Sequence, residues 1–121
     1  RFQRRLNRFS ALMEVSGKVE MVHVANSGRM KELFLPDVRV FIRPAPGEHR
    51  KTQFDLALVD IGGSLASADA RLPNALVAEA VTNRWLEPFL GYNEVAREVT
   101  FGESRLDLVL EEGPAEAPVC L

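Results

Sequence analysis

The chain has 121 residues, a net charge of −2, and 46% hydrophobic and 26% charged residues, the balance of a soluble globular protein with one ordinary domain or two small ones. No apolar run approaches the ~20 residues that span a bilayer, and no apolar signal segment follows the basic N-terminus, so no membrane partner is expected. The single cysteine, Cys120, forms no internal disulfide and reads as a reduced thiol in a cytoplasmic protein.

The small net charge hides a strong polarity. Residues 1–51 carry eleven Lys/Arg and five acids, net +6, whereas residues 52–121 carry four Arg and twelve acids, net −8. Such a chain has one part suited to polyanions and another suited to cations or metal, although two oppositely charged modules also simply keep each other soluble.

The first segment, Arg1 to Phe9, interleaves arginine with aromatic residues. In a regular strand Arg4, Leu6 and Arg8 share one side, and Arg5, Asn7 and Phe9 the other. Guanidinium forks bind phosphates and aromatic faces stack bases; the alternative is a charged edge strand that resists aggregation. Ala11–Val15 and Val19–Val24 read as strands joined at Ser16-Gly17, a hairpin signal. His23, alternating with apolar residues in the second of them, reads as a half-buried strand residue.

Asn26-Ser27-Gly28-Arg29-Met30 reads as a tight turn. A positive φ at Gly28 would let backbone N–H groups converge on an anion, with Arg29 and Lys31 adding charge; a plain turn is the alternative. Val38–Arg43 alternates, with Val38, Val40 and Ile42 on one face, until Pro44-Ala45-Pro46-Gly47 breaks it. Arg43, and Arg50 and Lys51 in the basic loop after Gly47, complete the candidate phosphate contacts. Phe54–Ile61 alternates again, with Phe54, Leu56 and Leu58 on one face, and ends at Gly62-Gly63. Several short strands punctuated by turns predict a small barrel.

Beyond Gly63 the pattern changes. Pro73-Asn74 opens a helix that runs through Trp85 and stops before Pro88. Asn93–Phe101 and Ser104–Glu111 read as a hairpin closed by Gly102-Glu103, and a further apolar run begins at Pro118. A boundary near residues 62–70 divides the chain into domains 1–63 and 64–121. Asp107 sits among apolar strand residues, where a charge is costly unless it is paired or bound to metal. One reading is a salt bridge to Arg105 or Arg97; the other is a Mg²⁺ ligand, with Glu79 on the preceding helix as a second carboxylate. No Ser/His/Asp order and no Walker-type phosphate loop is present.

Four segments in order resemble the sugar fermentation stimulation protein family of bacteria and archaea. They are Arg4-Arg5-Leu6-Asn7-Arg8-Phe9, His23-Val24-Ala25-Asn26-Ser27-Gly28-Arg29-Met30, Leu72-Pro73-Asn74-Ala75-Leu76-Val77-Ala78-Glu79-Ala80 and Gly102-Glu103-Ser104-Arg105-Leu106-Asp107-Leu108. The resemblance implies an α+β protein: an OB-like N-terminal barrel, then the opening helix and hairpin of a PD-(D/E)xK nuclease-like α/β domain. It implies DNA as partner and a link to regulation of sugar metabolism. It makes Asp107 the nuclease-motif aspartate and Glu79 its helix carboxylate, the candidate catalytic and metal residues. The family continues with a Glu-Val-Lys that this sequence lacks, so no cofactor and no cleavage are expected of these 121 residues, and Mg²⁺ is implied only for the full-length protein. The expected DNA contacts are Arg4, Arg5, Arg8, Asn26, Ser27, Gly28, Arg29, Lys31, Arg43, Arg50 and Lys51. The C-terminal strand edge is a candidate for homodimer pairing. A DNA-binding module, a metal-dependent nuclease and a non-catalytic regulator with a nuclease shape all remain open on these residues.

Overall fold

The computed structural model describes residues 1–115 and 117–121. The chain divides into two units, Arg1–Ala70 and Arg71–Leu121. The division falls later than residue 63 because a short strand at Leu65–Ser67 pairs back onto the first unit. It adds Asp69 to that unit, which then carries eleven Lys/Arg and eight acids, net +3, against four Arg and nine acids, net −5, in the second.

The first unit is built from β1 (Phe2–Asn7), β2 (Ser10–Val15), β3 (Lys18–His23), β4 (Val40–Pro44), β5 (Phe54–Asp60) and β6 (Leu65–Ser67). The strand order is β1-β2-β3-β5-β4, with β6 on β5. All pairings are antiparallel except β3 with β5, which meet at His23 and Asp55. The ring closes where Phe2 N–H donates to Val38 O (3.0 Å) and Asp37 N–H donates to Phe2 O (2.9 Å). This is the expected OB-like barrel. Ser16 and Gly17, with φ of 51° and 77°, form the two-residue turn between β2 and β3. Two positive φ values in succession are the type I′ signature, and glycine takes the second without steric cost.

Its core is Phe2, Ala11, Met13, Val22, Val24, Leu56, Val59 and Ala68, with Val38, Val40 and Ile42 packed against it. Two departures from regular alternation shape the outside. β1 pairs with β2 through two register shifts, between Phe2 and Arg4 and between Arg5 and Asn7. β4 pairs with β5 through one, between Phe41 and Ile42, so Leu56 and Val59 are buried while Leu58 is only half-buried. A bulge adds a residue to one strand and turns the side chains beyond it onto the other face.

The second unit has α1 (Leu72–Thr82), a single 3-10 turn at Glu87–Phe89, and the sheet β7 (Glu94–Phe101), β8 (Ser104–Glu111) and β9 (Val119–Cys120) in the order β7-β8-β9. α1 packs on β7 and β8, and Val81, Leu108, Val109 and Leu110 are buried. Pro73 occupies the first turn of α1 as expected. The helix ends earlier than Pro88, however. Arg84 adopts φ of 59°, Arg84 N–H donates to Val81 O (3.0 Å) and Trp85 N–H donates to Ala80 O (2.9 Å). This pair of bonds is a Schellman stop. It leaves Trp85 outside the helix and exposed.

A Schellman stop favours glycine at the left-handed position, where a Cβ costs about 1 kcal/mol. Arg84→Gly is therefore expected to raise unfolding stability by about 0.5–1 kcal/mol in urea titration. A lowered midpoint would show that the Arg84 side chain outweighs the strain.

Candidate nucleic-acid interface

Arg4, Arg5, Leu6, Asn7 and Arg8 line one groove together with Ser27, Gly28, Arg29 and Lys31. Arg4 and Arg5 pair in unbroken register with Leu12 and Ala11, so they keep the expected alternation, and the exposed Arg4 and half-buried Arg5 both contribute to the groove's lining. The groove has a volume of about 670 Å³, and its floor carries Phe2 and Phe34. Among the described residues five cationic ones line it, and no acid does.

Arg5 differs from the other four. Its Nε donates to Asn7 O (3.1 Å), Nη1 to Gly28 O (2.5 Å) and Arg29 O (3.1 Å), and Nη2 to Arg8 O (2.5 Å) and Asn26 O (2.7 Å). A guanidinium has five N–H donors, so every one is engaged by a backbone carbonyl. The Arg5 plane also lies 5.1 Å from the Phe34 ring centroid, and Phe34 stacks on the buried Phe2 at 5.1 Å and 14°. Partial burial, with its loss of hydration, holds this guanidinium below its ordinary pKa. Arg5 thus ties the turn after β1 to the 26–29 loop and has no donor left for a phosphate.

The 26–29 loop is correspondingly not an anion nest formed by a left-handed Gly28. Gly28 is not among the positive-φ residues; Met30 is, at 48°. Gly28 N–H donates to Asn26 Oδ1 (2.9 Å), and a Cβ at Gly28 would come within 3.0 Å of that oxygen. The loop turns carbonyls inward to Arg5 and leaves the Arg29 and Lys31 side chains exposed. Arg4 and Arg8 are exposed as well.

Arg43 and Arg50 lie elsewhere on the barrel and have buried partners. Asp55 is 3% exposed, and its Oδ1 is contacted by Arg50 Nη2 and by His23 Nδ1 (3.2 Å). Arg43 Nη2 donates to Asp69 Oδ2 (3.0 Å) and lies 3.6 Å from Asp55 Oδ2. Charges this deep persist only when paired. Lys51 is exposed beside Arg50. Asp55 and Asp69 escaped the sequence reading. The signal existed, because Asp55 interrupts Phe54 and Leu56 just as Asp107 interrupts Leu106 and Leu108.

In the second unit Asp107 is exposed on β8, and among the described residues its carboxylate has no ion-pair partner. Arg105 Nε instead donates to Glu98 Oε2 at 2.8 Å. Glu79 is exposed on α1. Among the described residues no group of three or more His, Cys, Asp or Glu could hold a metal ion. Two carboxylates fall short of the oxygen-rich shell that a hard divalent ion requires, so these residues do not form a metal site by themselves.

Comparison with known proteins agrees with this architecture. Residues 4–68 match the family model for the SfsA N-terminal OB domain, and residues 71–119 match the model for the sugar fermentation stimulation protein RE domain. The chain belongs to the sugar fermentation stimulation protein family. Among its relatives is a sugar fermentation stimulation protein homolog of Alkaliphilus metalliredigens, 49% identical over 109 residues, covering 90% of this chain and 47% of that protein. A homolog from Clostridium botulinum is 43% identical over 115 residues, covering 95% of this chain and 50% of that protein. The chain thus spans about half the length of these curated relatives. A solved structure described as Pyrococcus furiosus SfsA in complex with Ca²⁺ superposes with a TM-score of 0.85 at 28% identity, over 98% of this chain and 50% of that one. The family match divides between residues 68 and 71, where the fold divides. Among the described residues no helix is long and apolar enough to cross a membrane.

The five carbonyl contacts of Arg5 mark it as a folding residue. Arg5→Ala is expected to lower unfolding stability by about 2–4 kcal/mol. Arg5→Lys should recover little of that, because an ammonium has three donors and no planar fork. Urea titration followed by circular dichroism reads both, and wild-type stability in either variant would refute the assignment.

Proposed function

We propose that the barrel binds DNA through its phosphate backbone, using the groove between β1 and the 26–31 loop. The observation that carries this reading is the set of cations lining that groove with no acid among the described residues: Arg4, Arg8, Arg29 and Lys31, with Arg5 behind them as scaffold. Arginine and lysine at a shared concave surface neutralise phosphates and release counterions. They position the nucleic acid without reading its sequence. The OB architecture supports the same partner, since this barrel commonly carries oligonucleotides. The relatives' shared name supports a regulatory role in sugar metabolism, exerted through that contact. A DNA partner and the single exposed thiol Cys120 support a cytoplasmic setting.

Four phosphate contacts give a slope of log K against log salt near −3.6 for duplex DNA, or roughly a 100-fold loss of affinity between about 50 and 200 mM salt. Arg29→Ala is expected to flatten that slope by about 0.9 and to weaken every DNA sequence alike. Fluorescence anisotropy at several salt concentrations measures both, and salt-insensitive binding would defeat the proposal.

A second reading, a Mg²⁺-dependent endonuclease in the full-length protein, draws on Asp107. Its carboxylate is exposed and has no ion-pair partner among the described residues, so it is open to a metal ion. The Pyrococcus furiosus relative was solved with Ca²⁺. In this reading Asp107 is one ligand, Glu79 a second, and the remaining donors come from sequence beyond these residues. Incubating supercoiled plasmid with the full-length protein and Mg²⁺ tests it. Nicking that Asp107→Ala abolishes is expected, and an intact plasmid in both cases removes the enzyme reading.

A further inference from the structure

A second groove, of about 730 Å³, lies on the outer face of β2 and β3, on the other side of the β1–β2 turn. It is bounded by Asn7 and Phe9 from that turn and by Arg50 and Lys51 from the loop between β4 and β5. Ser10 and His23, directly opposed in register, are part of its lining. No acid lines it.

Three features of this groove point to a ligand. Phe9 is 52% exposed, yet its backbone is fixed on both sides. Its N–H donates to Asn7 Oδ1 (2.8 Å), and its carbonyl accepts from Val24 N–H (2.9 Å). An aromatic ring presented to water from a fixed backbone serves as a platform and adds nothing to the core. Arg50 is anchored on one side only. Nη2 contacts buried Asp55 and Nε donates to Thr52 O (3.3 Å), while Nη1 makes no hydrogen bond among the described residues. It is a pre-positioned cation with an open edge, and Lys51 stands exposed beside it. Finally, Ser10 is 8% exposed, and its Oγ is a buried polar atom without a hydrogen-bond partner among the described residues. Buried hydroxyls rarely go unpartnered, so a partner supplied from the groove is the natural complement.

We infer that this groove takes an unpaired nucleotide of single-stranded DNA, its base stacked on Phe9 and its phosphate at Arg50 and Lys51. The inference rests on the DNA-binding reading and deepens it. In the first groove Phe34 already stacks between Arg5 and Phe2, so its free cations suit a duplex backbone, whereas an open stacking platform requires a base free of its partner. Stacking tolerates any base, so the site gives strand preference without sequence preference.

The test compares a labelled oligothymidine with a blunt duplex of equal length, by anisotropy with the full-length protein in EDTA. Phe9→Ala is expected to weaken the single strand about 5- to 100-fold, to leave duplex affinity within about twofold, and to leave the salt slope unchanged because no charge is lost. Phe9→Trp should retain single-strand binding. Lys51→Gln should lower the single-strand slope by about 0.7. Since Phe9 is exposed, its melting temperature should match wild type, and a matched melt rules out misfolding as the cause. Equal effects of Phe9→Ala on both ligands, or none on either, overturn the inference. Wild-type protein that binds the duplex but not the single strand also overturns it and leaves the DNA-binding proposal standing. Binding to neither ligand brings down both.

Discussion

The stack of Phe2, Phe34 and Arg5 organises the basic side of the barrel. Phe2 is core, Phe34 covers it, and the Arg5 guanidinium lies over Phe34 while its donors reach the carbonyls of residues 7–8, 26 and 28–29. The 26–31 loop belongs to no sheet. Its position relative to β1 is set by Arg5 rather than by strand pairing. Without that staple the loop would retain the Asn26–Gly28 bond but lose its registration against Arg8. The groove containing Arg4, Arg8, Arg29 and Lys31 therefore exists because a fifth cation is spent on holding it open.

A similar division of labour operates around Asp55. Two buried carboxylates, Asp55 and Asp69, sit beneath Arg43 and Arg50, half-exposed cations that would otherwise move freely on their long side chains. Anchoring removes rotamer freedom before any ligand arrives. It also neutralises part of their charge. The barrel thus uses its arginines in three ways: as backbone staple, as anchored cation and as free cation.

Much of the fold was legible in the residues. Ser16-Gly17, Pro73 and Gly102 mark turns and a helix start whose φ requirements are local, so the letters suffice. The bulges in β1 and in the β4–β5 pair were invisible, because an extra residue in one strand depends on its partner's register and leaves no trace in alternation. They explain why Leu56 and Val59 point inward where alternation selects Leu56 and Leu58. Arg84 was missed as a helix stop because glycine is the expected residue there. In the candidate site the obstacle was similar. As letters, Arg4, Arg5 and Arg8 are alike, and only the carbonyls of residues 26, 28 and 29 separate their roles. Ser10 had no signal at all, since an orphaned hydroxyl can be recognised only once its surroundings are assembled.

The saturation of Arg5 has a kinetic side. Hydrogen bonds are directional and can be used up, but a Coulomb field cannot. The guanidinium remains a full positive charge beside the groove even though it offers no donor. In the proposed complex it therefore acts before contact: it raises the frequency of encounter with a polyanion, while the lifetime of the bound state is left to its neighbours.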